Sequence, residues 1–287
     1  MQNFDRSKIQ EIPFFSSDYP EAWRSLSDAP SAVYAVGDIR LLNTKKFVVV
    51  GTRRIPAPAV KLGKKIAKEL SNAVTIVTGT ADGGDTAAIE GALLGGGKVI
   101  CVLAGGFGSL PQANLDLCKK VAERGLIVSP HAYDTEVRSF SYEYRNKLLA
   151  ALGEGVLVLG AAEKSGALIT ARYAQKLGKP VFALPYFPGS AAGEGCNALL
   201  KSGAFLAENA FDIAEKMGIT LQEKSRALSL TAEEEKMLTA LKELGESHIT
   251  ALAECAGIPA FKVKGVLSAL EVKGYAVNVG GNRYAPV

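Results

Sequence analysis

The sequence predicts an α/β fold: an extended Rossmann-like, mostly parallel sheet with helices on both faces, followed by a small C-terminal winged-helix domain. Helix-period segments such as 59–70 and 168–177 separate short apolar runs, which lie at 47–50, 74–78, 98–103, 126–128, 155–159 and 180–184. Such alternation is typical of βαβ units, and continuous apolar runs fit strands that are buried on both faces. We therefore expect a Rossmann-like core domain over residues 46–222.

Two further segments flank this core. Residues 1–45 contain three prolines and the pair Val33-Tyr34, which predicts an irregular lead-in with a short strand or two, packed on the core. Beyond a polar linker at 222–226, residues 228–287 predict a second domain. It has a capping box at Thr231, three helices that end near 244, 255 and 272, and a hairpin around Gly280-Gly281. Three helices with a terminal hairpin form the winged helix-turn-helix pattern.

Composition limits the classes of function. With 48% hydrophobic and 22% charged residues, the chain of 287 residues is globular. Its net charge of +4 is mild, and all of the excess lies in the first 225 residues, because seven cations and seven anions balance in the rest. We find no signal peptide and no membrane-spanning run, so we expect a cytoplasmic protein without a membrane partner. No disulfide framework or zinc site is predicted from the widely spaced Cys101, Cys118, Cys196 and Cys255.

The most informative motif is Gly51-Thr52-Arg53-Arg54, which directly follows the apolar run 47–50. Ligands of open α/β sheets bind outside the carboxyl ends of the strands. Gly51 permits close backbone approach, Thr52 offers a hydroxyl and a free N–H, and either arginine can fork onto a phosphate. The alternative is a solvated arginine pair at the end of a strand.

Two later segments predict further contacts with an anion. Small residues at 79–85 follow a strand and precede a helix, although Asp82 and Asp85 would repel a phosphate and Asp85 can cap that helix. Residues 142–147 interleave aromatics with cations, the mixture that single-stranded nucleic acid binding uses. The alternative for 142–147 is an amphipathic helix start with its tyrosines on the core.

Two loops add weaker candidates. Ser165 and Gly166 can present N–H groups to a phosphate beside Lys164, or form an ordinary capping loop. Asn197, followed by Lys201, opens another helix, where an asparagine is more often a cap than a ligand. His131 and His248 lack a nucleophile nearby in the sequence, and no GxGxxG opens a βαβ unit. We therefore predict no catalytic residue, no metal site and no cofactor.

Taken together, these segments resemble the DNA-processing protein A (DprA/Smf) family. The resemblance runs through nearly the whole chain, and it is carried by Tyr19-Pro20, Ala29-Pro30, Val33-Tyr34, Gly37, Val50-Gly-Thr-Arg53, Gly79 to Asp85, Gly91-Ala-Leu93, Arg145-Asn146, Ser165 to Ala171 and Gly195 to Ala204. It implies a single-stranded-DNA-binding protein, not known as an enzyme, that forms homodimers. Such proteins protect incoming DNA and help load a RecA-type recombinase in natural transformation or recombination. The DNA- or phosphate-binding residues would be Gly51, Thr52, Arg53, Arg54, Gly79, Arg145, Asn146, Lys147, Lys164, Ser165, Gly166, Thr170, Asn197 and Lys201.

The sequence departs from the family pattern at several positions. Asp82 stands where Arg is usual, Glu143 where Pro is common and Lys147 where Arg is common. A carboxylate 4 Å from a phosphate costs about 4 kcal/mol before screening, at an effective dielectric constant near 20. A rival hypothesis is therefore an enzyme or sensor that binds a small nucleotide in the same crevice. In that case Asp82 and Asp85 would hold a ribose or a metal.

Overall fold

We describe the protein from a computed structural model over residues 4–221, 230–273 and 275–286. The chain divides into two compact units, Met1–Gln222 and Glu223–Val287. The polar linker predicted at 222–226 lies outside the described residues. No helix within the described ranges is both long and apolar enough to cross a membrane.

The first unit is built on a nine-stranded sheet. Its strands, in chain order, are β1 (Gln10–Pro13), β2 (Ala32–Gly37), β3 (Lys46–Val50), β4 (Thr75–Thr78), β5 (Val99–Val102), β6 (Leu126–Ser129), β7 (Val156–Val158), β8 (Val181–Ala183) and β9 (Phe205–Leu206). Their spatial order is β1-β2-β6-β5-β4-β3-β7-β8-β9. All neighbours from β6 to β9 are parallel, and β1–β2 and β2–β6 are antiparallel. The predicted strands are therefore confirmed.

Helices cover both faces of this sheet. They are α1 (Glu21–Arg24), α2 (Ala57–Leu70), α3 (Gly84–Leu94), α4 (Gln112–Arg124), α5 (Ser139–Leu152), α6 (Ala167–Lys176), α7 (Glu194–Lys201) and α8 (Ala210–Met217). One hydrophobic core joins the sheet to α1, α5, α6 and α7, and a second joins it to α2, α3, α4 and α8. This two-faced burial confirms the predicted fold class and explains why the strand sequences are apolar without alternation.

The lead-in segment is part of the sheet, because it supplies β1 and β2. Trp23 is fully buried, and its indole Nε1 donates to the carbonyl oxygen of Leu148 at 2.9 Å. The hydroxyl of Tyr19 donates to the carbonyl oxygen of Pro30 at 2.7 Å. The Trp23 bond holds the proline-rich segment against α5, and the Tyr19 bond fixes the segment internally.

The order of strands reverses at β3. From β3 the chain proceeds outward through β4, β5 and β6, and then returns to place β7 on the other side of β3. Loops that leave the carboxyl ends of β3 and β7 therefore run to opposite faces and leave a crevice between them. Gly51 and Gly84 bring the β3 loop and α3 together, since a Cβ atom on Gly84 would lie 2.3 Å from the Cα atom of Gly51.

The second unit has its own small core. Its elements are α9 (Ala232–Leu244), β10 (Ser247–His248), α10 (Ile249–Ala256), α11 (Ala260–Val272), β11 (Ala276–Gly280) and β12 (Arg283–Pro286), and the strands form an antiparallel sheet in the order β10-β12-β11. Met237, Leu252 and Leu267 are fully buried in its centre. The capping box is present: Thr231 Oγ1 accepts from the Glu234 N–H at 3.2 Å, and Glu234 accepts from the Thr231 N–H at 2.6 Å.

Candidate nucleic-acid interface

A cleft of about 440 Å³ opens at the carboxyl ends of β3 and β7, where the strand order reverses. It brings together most of the residues predicted to bind phosphate, namely Gly51, Thr52, Arg53, Arg54, Arg145, Asn146, Ser165, Gly166 and Thr170. These residues come from three separate parts of the chain. Only the topology of the sheet places them side by side.

The cationic and aromatic groups of the cleft lie in contact with each other. Arg53 and Arg54 are exposed, and the guanidinium carbon of Arg53 lies 5.4 Å from the centre of the Tyr142 ring. Tyr142 is 39% exposed and lines the cleft. Tyr144, in contrast, is packed against the core, and its hydroxyl donates to the carbonyl oxygen of Asp28 at 2.7 Å. Of the two tyrosines, Tyr142 is thus the one available to a ligand.

The expectation of a free N–H on Thr52 was wrong. This N–H donates to the carbonyl oxygen of Gly160 at 2.8 Å, and the Thr52 carbonyl accepts from the N–H of Gly84 at 3.2 Å. The N–H of Ser165 is also used, since it donates to the carbonyl oxygen of Ala162 at 3.0 Å. Both N–H groups are therefore already used in hydrogen bonds that fix these loops. Thr52 and Ser165 can therefore offer a ligand their hydroxyls, but not their N–H groups.

The start of α6 is held in place by α5. Asn146 is buried, and its amide nitrogen donates to the carbonyl oxygen of Gly166 at 3.0 Å. Thr170, one turn into α6, is fully buried beside the cleft, and its hydroxyl has no hydrogen-bond partner among the described residues. Gly166 lines the cleft at the N-cap position of this helix, where helix geometry favours an anion.

A buried ion pair forms the floor of the cleft. Arg145 Nη1 lies 3.6 Å from Asp85 Oδ2, and the two side chains are 7% and 5% exposed. Burial raises the pKa of the Asp85 carboxyl, and the opposing effects come from Arg145 and from the N–H groups of Ala81 and Gly51. Asp85 is not a helix cap, because the N-cap of α3 is Gly83. Instead, Asp85 balances the charge of Arg145 and ties two loops together.

Gly79 makes room for this ion pair. A Cβ atom at Gly79 would lie 1.6 Å from Arg145 Nη1 and 2.3 Å from Asp85 Oδ2. Gly79 itself is not among the residues that line the cleft. Gly79, which the sequence suggested as a place for a ligand to approach, thus makes room for the side chains of Arg145 and Asp85.

Besides Gly79, four predicted residues lie outside the cleft. Lys147 forms an ion pair with Asp28. Lys164 is exposed in the loop between β7 and α6. The side-chain amide of Asn197 bonds the backbone of Tyr186 in both directions, at 3.0 and 2.9 Å, so it fixes a loop and does not cap α7. Lys201 is exposed in the last turn of α7.

A second cleft, of about 240 Å³, adjoins the first and shares Arg53, Tyr142 and Arg145 with it. Asp82 is exposed and lines this second cleft, whereas Asp85 lies beneath the first. Asn114 was not predicted from the sequence, although it lines the second cleft and its side-chain amide donates to the carbonyl oxygen of Thr80. No motif marks it, because it lies on α4, outside the segments whose sequence patterns predicted the site.

The two aspartates line different clefts. Asp85 is already engaged by Arg145 and by backbone N–H groups, and Asp82 lines the neighbouring cleft. In the described part of the chain, no group of three or more His, Cys, Asp or Glu side chains is arranged to hold a metal ion. The rival hypothesis of a ribose or metal held by both carboxylates therefore loses its main support.

The fold and the cleft define a class: a doubly wound α/β protein with an arginine-lined crevice at the switch point of its sheet. The model of the DNA recombination-mediator protein A family matches residues 10–218, and the chain belongs to this family. The resemblance predicted from the sequence is thereby confirmed. The family match stops before the second unit begins.

Individual relatives agree with this assignment. DNA processing protein DprA of Bacillus subtilis is 34% identical over 212 residues, which cover 73% of this chain and 71% of that protein. The X-ray structure of DprA from Streptococcus pneumoniae has a TM-score of 0.70 and 32% identity, covering 73% of this chain and 74% of that one. A structure that describes the single-stranded DNA binding mode of DprA from Helicobacter pylori has a TM-score of 0.67 and 31% identity, covering 74% and 98%.

Proposed function

We propose that this protein binds single-stranded DNA in the cleft at the ends of β3 and β7, and that it does so as a homodimer in the cytoplasm. The observation that carries the proposal is the exposed Arg53 guanidinium beside the Tyr142 ring, above a floor built by glycines and a neutralised ion pair. A cation for the backbone next to an aromatic face for a base is the combination that single strands require.

The charges of the cleft favour a phosphate over a neutral ligand. Arg145 is balanced by Asp85, so the net positive charge facing solvent comes from Arg53 and Arg54. The hydroxyls of Thr52 and Ser165 can add hydrogen bonds, and the first turn of α6 adds a favourable dipole. Lys164, which is exposed in the loop between β7 and α6, can contact a phosphate of the DNA strand outside the cleft.

We further propose that the bound strand is protected and handed to a RecA-type recombinase, in natural transformation or another recombination pathway. Membership of a family of DNA recombination mediators supports this role, as does the single-stranded DNA binding described for the Helicobacter pylori relative. The predicted winged-helix unit is a candidate for contacts with protein, since its charges balance. A strand-exchange assay with a RecA-type recombinase, with and without this protein, tests the proposed loading.

Fluorescence anisotropy with labelled oligonucleotides tests the binding itself. We expect single strands to bind more tightly than duplexes of the same sequence, with affinity that falls as salt rises by a log–log slope of about −0.7 per contacted phosphate. Equal affinity for single and double strands would contradict the proposal.

Arg53→Ala tests the position of the site. A charge-assisted hydrogen bond contributes roughly 1.5–3 kcal/mol, so affinity should fall about 10- to 100-fold. Arg124→Ala is the matched control, because Arg124 is also exposed but ends α4 just before β6, at the opposite edge of the sheet. If the two variants bind DNA equally well, the cleft is not the site.

A further inference from the structure

The second unit carries an exposed helix face that the proposed function does not use. One side of α11 packs into the core through Val263, Val266, Leu267 and Leu270. The opposite side holds Phe261, Gly265, Ser268 and Val272, all exposed. Phe261 is 83% exposed and Val272 is 89% exposed, so each end of this helix face carries a large apolar side chain open to solvent.

The charges around α11 do not favour a nucleic acid. Lys262 Nζ lies 2.7 Å from a carboxylate oxygen of Glu233, and Lys273 Nζ lies 2.6 Å from one of Glu234. Both cations are therefore neutralised by the acidic start of α9. Lys264 remains as a cation without an ion-pair partner within the described chain, too little for the several phosphate contacts that hold a protein on DNA.

The exposed face of α11 is complementary to itself. Phe261 lies four residues before Gly265, and Val272 lies four residues after Ser268, so the face runs large, small, small, large. When two such helices cross antiparallel, Phe261 of one meets Val272 of the other. The small residues then lie at the crossing, where helix axes can approach to about 8 Å.

The flank of this face is also self-complementary. At about 100° per residue, Lys264 and Glu271 lie on the same edge of the apolar face. In an antiparallel pair related by a two-fold axis, like edges face each other, so Lys264 of one helix meets Glu271 of the other, twice. The strand β11 borders this edge, because the N–H of Asn278 donates to Glu271 Oε1 at 3.3 Å. Val277 and Val279 of this strand are also exposed.

We propose that the C-terminal unit binds the C-terminal unit of a second copy of this chain, through antiparallel pairing of α11 about a two-fold axis between Gly265 and Ser268. Phe261 and Val272 form the apolar ends of the contact, and the two Lys264–Glu271 pairs fix its direction. The partner is a second copy because, when two α11 helices lie antiparallel, apolar residues of one meet apolar residues of the other and Lys264 of one meets Glu271 of the other.

Cross-linking in the full-length chain tests this pairing. The two Ser268 side chains lie near the axis, so Ser268→Cys should form a disulfide-linked dimer on mild oxidation. The Cys255→Ser background removes the exposed native thiol, and the other three cysteines are buried. Thr239→Cys is the matched control, because Thr239 is exposed on α9. We expect its cross-linking to be at least about fivefold slower, a difference of roughly 1 kcal/mol.

Charge reversal separates specific pairing from random collision. In the Ser268→Cys background, Lys264→Glu or Glu271→Lys alone should slow cross-linking about fivefold or more, because each places like charges together twice. The double variant carrying both changes should restore the rate. Circular dichroism confirms the fold of each variant. If the Ser268→Cys variant cross-links no faster than the Thr239→Cys variant, or if the double reversal fails to restore the rate, the pairing is overturned.

Discussion

The buried pair of Asp85 and Arg145 allows a quantitative test of how the cleft is built. In Asp85→Ala the Arg145 guanidinium, 7% exposed, loses its counterion. Within the described part of the chain it keeps a single long hydrogen bond, from Nη1 to the carbonyl oxygen of Val102 at 3.4 Å. Removing one partner of a buried ion pair costs about 3–5 kcal/mol. The substitution also deprives the Ala81 N–H of its acceptor at 3.2 Å.

This loss is large against the total stability of a domain, which is about 5–15 kcal/mol. Asp85→Asn keeps an oxygen acceptor but removes the charge, so we expect a smaller loss, about 1–3 kcal/mol. The order of stability should therefore be wild type, then Asn, then Ala. The Ala variant should also bind single-stranded DNA more weakly, because the floor of the cleft shifts with Arg145.

Urea unfolding followed by tryptophan fluorescence is the assay. Trp23 is the single tryptophan, is fully buried and belongs to the first unit, so its emission reports the unit that holds the cleft. Asp82→Ala is the control, because Asp82 is an exposed carboxylate three residues away and should change stability by less than about 0.5 kcal/mol. If Asp85→Ala costs less than about 1 kcal/mol, or if both variants cost the same, the ion pair does not hold the cleft together.

Three further predictions follow from neighbouring contacts. Gly79→Ala should displace the Arg145 side chain and cost about 1–3 kcal/mol of stability, measured by the same urea assay. Asp82→Arg should tighten single-strand binding by roughly three- to tenfold, because it replaces a repulsive charge beside Arg53 with an attractive one. The Lys273 ammonium, with the Thr231 N–H, holds the pKa of Glu234 below its usual 4.5. Since the folded-state pKa is lowered, this stabilisation is present above 4.5 and is lost as pH falls further. Hydrogen exchange of α9, in wild type and Glu234→Gln, should differ near neutral pH and converge in acid.

Each of these has its own contrary result. A Gly79→Ala variant of unchanged stability would mean that the space above Arg145 is not needed. Unchanged DNA affinity in Asp82→Arg would place the strand away from the second cleft, and weaker affinity would give Asp82 a direct part in binding. A difference between Glu234→Gln and wild type that persists in acid would trace to packing and not to charge.

The parallel strands β3 to β8 were predictable because each is buried on both faces, and a strand buried on both faces has a continuous apolar sequence. Arg53 was predictable for a related reason, since a polar residue directly after such a run must lie at the edge of the sheet. The role of Gly79 was not, because a glycine that admits a ligand and one that admits a buried arginine look the same in sequence. The prediction of a free N–H at Thr52 was wrong, because the acceptor of its hydrogen bond, the carbonyl oxygen of Gly160, lies far along the chain.

Other residues depended on tertiary contacts that no local pattern records. Lys147 shares a helix with Arg145 and Asn146, and the sequence suggests one role for all three. In the fold it pairs with Asp28, because a shift of two residues along a helix turns a side chain by about 200°. Asn114 was missed since only the packing of α4 brings it near the ends of β4 and β5.

The pairing of β2 with β6 has a consequence for how the chain acquires its structure. β2 ends at Gly37, which pairs with Leu126, so the earliest strands cannot dock until the β4–β6 region has been made. During synthesis the N-terminal segment, with Trp23, therefore cannot pack on the core until most of the parallel sheet has been synthesised. Contacts so distant in sequence slow folding, because their loops must close before any stabilisation is gained. Burial of Trp23 should therefore be a late event, and the segment that opens the sequence should be among the last to fold.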